Sequence, residues 1–599
     1  MTRLLALAAA ILILGLALFF GPRWLVTGET ARLRAEAELS DWLGASVRLP
    51  AAPSVEFLPE PRLSLSDVRL ESVNGLWSLS AGRIHVRLDV FALVFGEMRF
   101  TAFQIENPRI RLGDGVLPAG ANWRDGLRAA ARGLHRLTAY PLTVTDGVLL
   151  GDAGEMAPLI DRISLRFVRD GQKSSIRGGF QVSDQPVDMA VSLADRDSLI
   201  GKAGGAVAVT LEAPLASLRL DGELTGAGGG PLAGQFAFAA SDLRGLGQRL
   251  GYQLAAEAAF GAGRLAGTGQ LSFDALTLDS ARIELDGNLG EGQLAFDMAD
   301  PRPRLDGTLA FERLDLSAYL HEAPVLARGA WRRAPLADVL RQMDLDLRVS
   351  AGDLIAGDLS LRRSGLSLLL RDGDFSFDLS EATLAGGRAA ASLRAKPDAV
   401  SHGYAATMTV LGEGLDFAAL PRPQEMEAWP QGGRMAGRAS GVAAGESLDD
   451  LLSSYKVTAA VDTRQTRFAS DGLATAIGRL GTPGTPATSS GRSTFAKLDL
   501  ALEIAPDAIA VQRLLAETGK HRLIASGRVS RPEGSLALRG LVAAVEADRP
   551  ADGEPEGPAA ATGVPVLMRG TWSEPLLLPD LTEFVGPPKR HQKTTAGGQ

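Results

Sequence analysis

Over most of its length the chain alternates apolar and polar residues with a period of two. Leu63 and Leu65 begin the pattern and, past an expected turn, Val68 and Leu70 follow; Ile84, Val86, Leu88 and Val90 continue it, with Arg87 and Asp89 between apolar positions. The same grammar returns at Leu142 and Val144, at Val207, Val209 and Leu211, at Leu218 and Leu220, and at Leu276 and Leu278. It is found again at Leu366, Leu368 and Leu370, and at Leu498, Leu500, Leu502 and Ile504. Successive side chains of a strand point to opposite faces, so this spacing makes one face greasy and the other wet. Antiparallel strands solvated on one side are the natural reading. Asp-Gly pairs at Asp146-Gly147, Asp221-Gly222, Asp286-Gly287, Asp306-Gly307 and Asp372-Gly373 supply the positive φ angles of tight hairpins, which predicts a meander of strands.

A chain of 599 residues exceeds what one compact core can organise, so several domains or one repetitive structure are required. Its 69 glycines and 32 prolines fit many turns between short elements, and 45% hydrophobic with 22% charged residues places it among folded proteins. There is no cysteine, hence no disulfide, thiolate nucleophile or cysteine-based metal site, and the redox compartment is left open. A net charge of −8 argues against a general nucleic-acid binder, which needs basic surface to displace counterions.

The run from Leu4 to Pro22 has no charged residue and lies between Arg3 and Arg23. At about 1.5 Å per residue it covers most of a hydrocarbon core ~30 Å thick. A cleaved signal peptide would have a shorter apolar region and a small-residue cleavage site, whereas this run ends in Phe19, Phe20, Gly21, Pro22, Arg23 and Trp24. The expectation is an uncleaved anchor over 1–26 with everything after Trp24 beyond the membrane. Arg23, Arg32 and Arg34 on that outer side run against the positive-inside tendency. Helical spacing predicts short helices at Glu29–Leu43, Trp123–Leu137 and Pro335–Met343, and Gly481–Ser493 and Glu546–Pro565 read as loops. The expected segments are the anchor 1–26, an N-terminal segment 27–137 with short helices, a repetitive β-groove 138–425, a C-terminal β segment 426–585 and a basic tail 586–599.

Candidate chemistry is sparse. His85, His135, His321, His402, His521 and His591 never adopt metalloprotease spacing, and no position matches a calcium loop. The glycine-rich stretches at 226–230, at Gly245, Gly247 and Gly251, and at Gly261, Gly263 and Gly267 are not nucleotide fingerprints. No nucleophile elbow holds a serine, and His85, Asp146 and Asp372 lack sequence neighbours for acid–base work. No catalytic residue, metal or cofactor is expected.

An ordered set of features runs across nearly the whole chain: the anchor, a short helix ending Trp42-Leu43-Gly44, Phe57-Leu58-Pro59-x-Pro61, Leu63-x-Leu65-x-Asp67-Val68 and Gly82-Arg83-Ile84. It continues through Asn107-Pro108-Arg109, Asn122-Trp123, Leu314-Asp315-Leu316 before Tyr319, Trp331 to Leu336, Arg371-Asp372-Gly373 and Gly386-Gly387-Arg388. It closes on Gly563-Val564-Pro565-Val566, Gly570-Thr571-Trp572 and Pro579-Asp580. In this order the features resemble the AsmA-like family of bacterial envelope proteins. The resemblance implies a mostly β fold: a transmembrane helix followed by an elongated, curved antiparallel β-sheet groove with a few short helices. It also implies a single-pass inner-membrane protein, its bulk in the periplasm, supporting phospholipid transfer and outer-membrane biogenesis, with phospholipid and envelope proteins as partners.

Periodicity supplies a compatible mechanism, since a continuous apolar face can hold an acyl chain while its head group stays wet. At ~0.8 kcal/mol per methylene, a chain of about 16 carbons exposed to water costs on the order of 12 kcal/mol. The candidate groove residues are Leu345, Leu347, Val349, Leu366, Leu368, Leu370, Phe375, Phe377 and Leu379, where alternation is cleanest. The competing reading is a structural or assembly factor for outer-membrane proteins that conducts no lipid; a separate alternative is that the alternating residues merely fill a closed sandwich or a β-helix core.

Overall fold

A computed structural model describes residues 32–33, 36–37, 40, 45–50, 53–56, 60–72, 77–94, 99–112, 140–150, 158–171, 173–194, 205–224, 231–249, 259–272, 274–298, 302–321, 335–398, 403–422, 429–468, 472–481, 493–531, 533–545, 563–571 and 575–580. The expected anchor, the Trp123–Leu137 helix and the 586–599 tail lie outside them. Of the Glu29–Leu43 helix, Arg32, Leu33, Glu36, Ala37 and Ser40 are described and helical. Strands dominate, and contacts divide the chain into two units. The division falls at Leu254–Asp300, inside the segment the sequence reads as one groove.

In the first unit, β1 (Ala45–Arg48) and β2 (Ser54–Glu56) pair end to end along one edge of β3 (Arg62–Ser72). From there each strand pairs with the next: β4 (Trp77–Leu88), β5 (Phe100–Leu112), β6 (Leu142–Leu150), β7 (Pro158–Asp170), β8 (Lys173–Val182), β9 (Gln185–Leu193) and β10 (Gly205–Glu212). The series ends with β11 (Ala216–Leu224), β12 (Leu232–Ala240), β13 (Gly263–Leu271) and β14 (Ala275–Leu285). Strand β15 (Asn288–Asp297) is shared between the units.

The second unit repeats the plan with β16 (Arg304–Asp315), β17 (Asp344–Ala356), β18 (Leu359–Arg371), β19 (Asp374–Leu384), β20 (Gly387–Pro397), β21 (Tyr404–Asp416) and β22 (Gly432–Gly445). It continues through β23 (Lys456–Phe468), β24 (Ser493–Ile504), β25 (Ala508–Glu517), β26 (His521–Ser530), β27 (Ser535–Ala544), β28 (Gly563–Thr571) and β29 (Pro575–Pro579).

The expectation of a purely antiparallel sheet needs correction, because β5–β6 and β16–β17 are parallel. A parallel neighbour requires a crossover of a dozen or more residues, and the helical patterns at Trp123–Leu137 and Pro335–Met343 interrupt period two in those two connections. The second yields the described helix Leu336–Leu340, whose Leu336 N–H donates to the Glu446 carbonyl at 2.8 Å.

A column of left-handed residues crosses the first unit. Asp67 in β3, Asn107 in β5, Asp146 in β6 and Arg162 in β7 have φ of 52°, 51°, 54° and 47°. Around Asp146 and Arg162 the β6–β7 register shifts, so these are bulges, each an extra residue that bends its strand and shifts the side-chain phase. In β3–β5 Asp67, Gly82 and Asn107 are skipped together and the register is kept, so the phase turns in step on neighbouring strands. Leu65 and Val68 therefore share a face although they are three positions apart, as do Ala81 and Ile84, and residues from both sides of the column meet in one buried cluster. In the second unit the registers shift around Arg363 of β18 (φ 51°) and between Leu379 and Ala382 of β19.

The bulges overturn part of the turn assignment. Asp286-Gly287 and Asp372-Gly373 are hairpin turns with two positive φ angles, but Asp146-Gly147, Asp221-Gly222 and Asp306-Gly307 lie inside β6, β11 and β16. Asp146 is a bulge residue, and Gly222 and Gly307 are paired ladder positions opposite Val207 and Leu347. In place of the turn expected between Leu65 and Val68, the strand runs on through the left-handed Asp67 with its register kept.

A methyl group on Gly269 of β13 would sit 1.8 Å from the Thr277 carbonyl oxygen on β14, whereas one on Gly478 meets no atom within 4 Å. Gly269→Ala should destabilise the fold by about 2–4 kcal/mol. Gly478→Ala, inside the helix Gly472–Gly481, should stabilise it by about 1 kcal/mol. Denaturant unfolding of the two variants checks the pair.

Candidate functional site

Strand registers convert the sequence alternation into rows that run across the sheet. In the second unit one row passes through Leu309, Val349, Leu366, Leu379, Ala391, Val410, Ala439, Ala459, Leu502, Val511, Gly527, Leu538, Met568 and Leu577. It crosses every strand from β16 to β29 without a polar side chain. With strands ~4.8 Å apart, the row is about 60 Å long along the hydrogen-bonding direction. The first unit has a counterpart: Leu63, Val86, Phe103, Leu142, Phe167, Ile176, Val191, Val209, Leu220, Phe236, Gly267 and Ala281.

All nine candidate residues fall on one face of β17–β19. Leu345 pairs with Leu370 and Leu370 with Phe375; Leu347 with Leu368 and Leu368 with Phe377; Val349 with Leu366 and Leu366 with Leu379. Leu370 and Leu379 are buried and the other seven half-buried. The rows extend into Leu393 and Met408, beside Val410, and here the face opens: Leu393 is 38%, Met408 36% and Val410 40% exposed. Large apolar side chains standing open to solvent in adjoining rows are what a surface for an apolar ligand requires.

Other apolar stretches of each unit are closed. In β3–β7 Leu63, Leu65, Val86, Phe103, Leu142 and Phe167 are all buried. Toward the C-terminus Val511, Leu523, Val529, Leu538, Val542 and Val566 are at most 2% exposed, and the helix Gly472–Gly481 packs on them through Ile477, which is fully buried. Near the turn Asp372-Gly373 the apolar face ends at Tyr404, which is 1% exposed, with its hydroxyl beside Gly373 and the Arg341 side chain. Burial pushes this phenol above its ordinary pKa, and the nearby Arg341 opposes the shift.

The opposite face is wet. Arg264 meets Glu284 at 2.9 Å, Arg282 meets Glu291 at 2.7 Å and Arg388 meets Glu413 at 3.0 Å, each pair bridging neighbouring strands at the surface. Such exposed pairs add little stability. At the Asp372 turn the ion pair with Arg302 holds the Asp372 carboxyl below its usual range.

His85 is better supplied than its sequence context suggests. Ser64 Oγ lies 2.9 Å from His85 Nδ1, and Glu106 Oε1 lies 3.7 Å from His85 Nε2. The three residues sit on adjacent strands β3–β5, so only the register reveals them. Ser64 stands mid-strand between two paired neighbours, so its local backbone N–H groups belong to ladders instead of an oxyanion hole. The Gly245-x-Gly247 stretch forms a seven-residue helix, Leu243–Arg249, whose start is capped by Asp242 accepting from Gly245 N at 2.9 Å. That carboxylate takes the position a phosphate would need. Gly263 and Gly267 lie in strand β13. Among the described residues no group of three His, Asp or Glu could hold a metal ion.

No known family model, curated protein or solved structure matches the chain. Among the described residues no helix is long and apolar enough to cross a membrane, and the run at 4–22 lies outside them.

The contrast between open and closed stretches predicts opposite responses to one substitution. Leu368→Asp places a carboxylate where water can still reach it and should change unfolding stability by no more than about 1–2 kcal/mol. Leu523→Asp buries an unpaired charge in a fully enclosed cluster and should cost more than about 4 kcal/mol or prevent accumulation. Denaturant unfolding and cellular abundance of the two variants give the comparison.

Proposed function

We propose that this chain is an AsmA-like, membrane-anchored envelope protein that carries phospholipid acyl chains on the apolar face of its sheet. The single observation that carries the reading is the uninterrupted apolar row from Leu309 to Leu577, together with the solvent exposure of Leu393, Met408 and Val410 alongside it. Acyl chains need a continuous apolar surface to cross water, and head groups need an open side. A face of this kind, on strands whose other side is ion-paired, meets both needs without any catalytic group. In this reading the uncharged run at 4–22 holds the chain in the inner membrane and the sheet stands in the periplasm, where it supports phospholipid transfer toward the outer membrane.

The second reading, a scaffold for outer-membrane proteins, has its own support in edge strand β29, where Leu576 and Leu578 are 59% and 47% exposed. Two adjacent leucines separate the alternatives. Leu368 belongs to the apolar rows and Leu369 to the opposite face. With a photoreactive residue at 377, phospholipid adducts are expected in the parent chain, a loss of about tenfold in Leu368→Asp, and near-parental yield in Leu369→Asp. No phospholipid at 377, or equal loss in both variants at unchanged abundance, overturns the lipid-carrying reading.

A further inference from the structure

The apolar rows of the second unit continue to its last strand, but their exposure does not. At β20–β21 the side chains stand open, with Leu393, Met408 and Val410 between 36% and 40% exposed. From β25 to β28 the same face is sealed, with Val511 at 2%, Leu523 at 0%, Leu538 at 2% and Met568 at 4%. What changes between the two stretches is the helix Gly472–Gly481, which connects β23 to β24 and packs against β24, β26, β27, β28 and β29. Leu473, Ala474, Ile477 and Leu480 have the i, i+1, i+4, i+7 spacing of one helix face. Ile477 is a fully enclosed member of the buried cluster, and Leu473, Ala474 and Leu480 are partly buried against it.

We propose that this helix is a built-in end-stop: it occupies on β24–β29 the surface that an acyl chain takes on β17–β23, so lipid never reaches the C-terminal strands and instead exchanges at the β20–β21 opening. The inference rests on the lipid-carrying reading and adds where that surface ends. Three features support a seated helix. Its apolar side chains fill the place of a ligand. The strand residues beneath it have the close packing of a protein core, and a core packed to that density has no unfilled path for a chain. The most exposed apolar residues of the rows lie a few strands ahead of it, where a ligand that can go no further along the sheet would meet solvent and acceptors.

The chain has no cysteine, and photoreactive residues can be placed singly along the rows of the full-length protein in its membrane. Positions 393, 511 and 523 are the informative set. The expected result is phospholipid adducts at 393 and at least tenfold fewer at 511 and 523. Adducts at 511 and 523 equal to those at 393 overturn the end-stop while leaving the lipid-carrying surface intact. Absence of adducts at all three removes both. Ile477→Asp should release the helix and raise adducts at 523; a folded Ile477→Asp chain that stays unlabelled there contradicts the assigned role of the helix. Should Ile477→Asp fail to accumulate, Leu480→Asp at the margin of the cluster serves the same comparison, read by the same two outcomes.

Discussion

Face identity is the constraint on which everything else in this protein depends. A strand has only two faces, and a one-residue slip moves every later side chain from one to the other. A surface that stays apolar from strand to strand therefore requires each irregularity to be corrected where it occurs. Left-handed residues do this, Asp67, Asn107, Asp146 and Arg162 in the first unit and Arg363 in the second: beyond each of them the leucines and valines return to the face they would otherwise have left. The same irregularities bend the strands. In the first unit Leu65 and Val68 thus reach one cluster from the two sides of a bend. Phase correction and bending are one event in this sheet.

Closure of the ends follows from what covers the apolar face. A half-apolar sheet must bury that face, close on itself or leave it for something else. The first unit buries it in β3–β7, and the second buries it in β24–β29 beneath the helix Gly472–Gly481. Between β17 and β23 the cover is uneven: Leu370, Leu379 and Tyr404 are buried, Leu345, Leu347, Leu368 and Phe377 half-buried, and Leu393, Met408 and Val410 open. Glycine and alanine make up much of the rows from β20 to β23, at Ala391, Ala395, Ala439, Gly441 and Ala459, so the floor there is low. Small residues leave depth above the backbone for an acyl chain, while the ion pairs on the far side keep that side wet.

Much of this was legible in the sequence. Alternation alone brought Leu345, Leu347, Val349, Leu366, Leu368, Leu370, Phe375, Phe377 and Leu379 onto one face, and the hairpin at Asp372-Gly373 aligned two of the strands. The rest was hidden for identifiable reasons. A left-handed residue inside a strand is an ordinary polar residue in the sequence, and its signature is a phase slip, as between Leu65 and Val68, that resembles a turn. Asp-Gly fits a bulge or a paired strand position as readily as a turn, which is why Asp146-Gly147 and Asp306-Gly307 misled. The Ser64, His85 and Glu106 association depends on register across three strands. The helix Gly472–Gly481 was missed because Gly472, Gly478 and Gly481 lower its helical propensity; its signal was the spacing of Leu473, Ala474, Ile477 and Leu480.

Two exposed valines on neighbouring strands allow the most direct test of whether the apolar face is the working surface. Val410 of β21 lies in the apolar row and is 40% exposed; Val442 of β22 points to the opposite face and is 57% exposed. Any lipid that binds merely because a greasy side chain meets solvent should label Val442 at least as well. The measurement is phospholipid adduct yield from a photoreactive residue placed singly at 410 or at 442 in the full-length chain in its native membrane. The account predicts strong labelling at 410 and background labelling at 442. Equal labelling, or labelling at 442 alone, would contradict it.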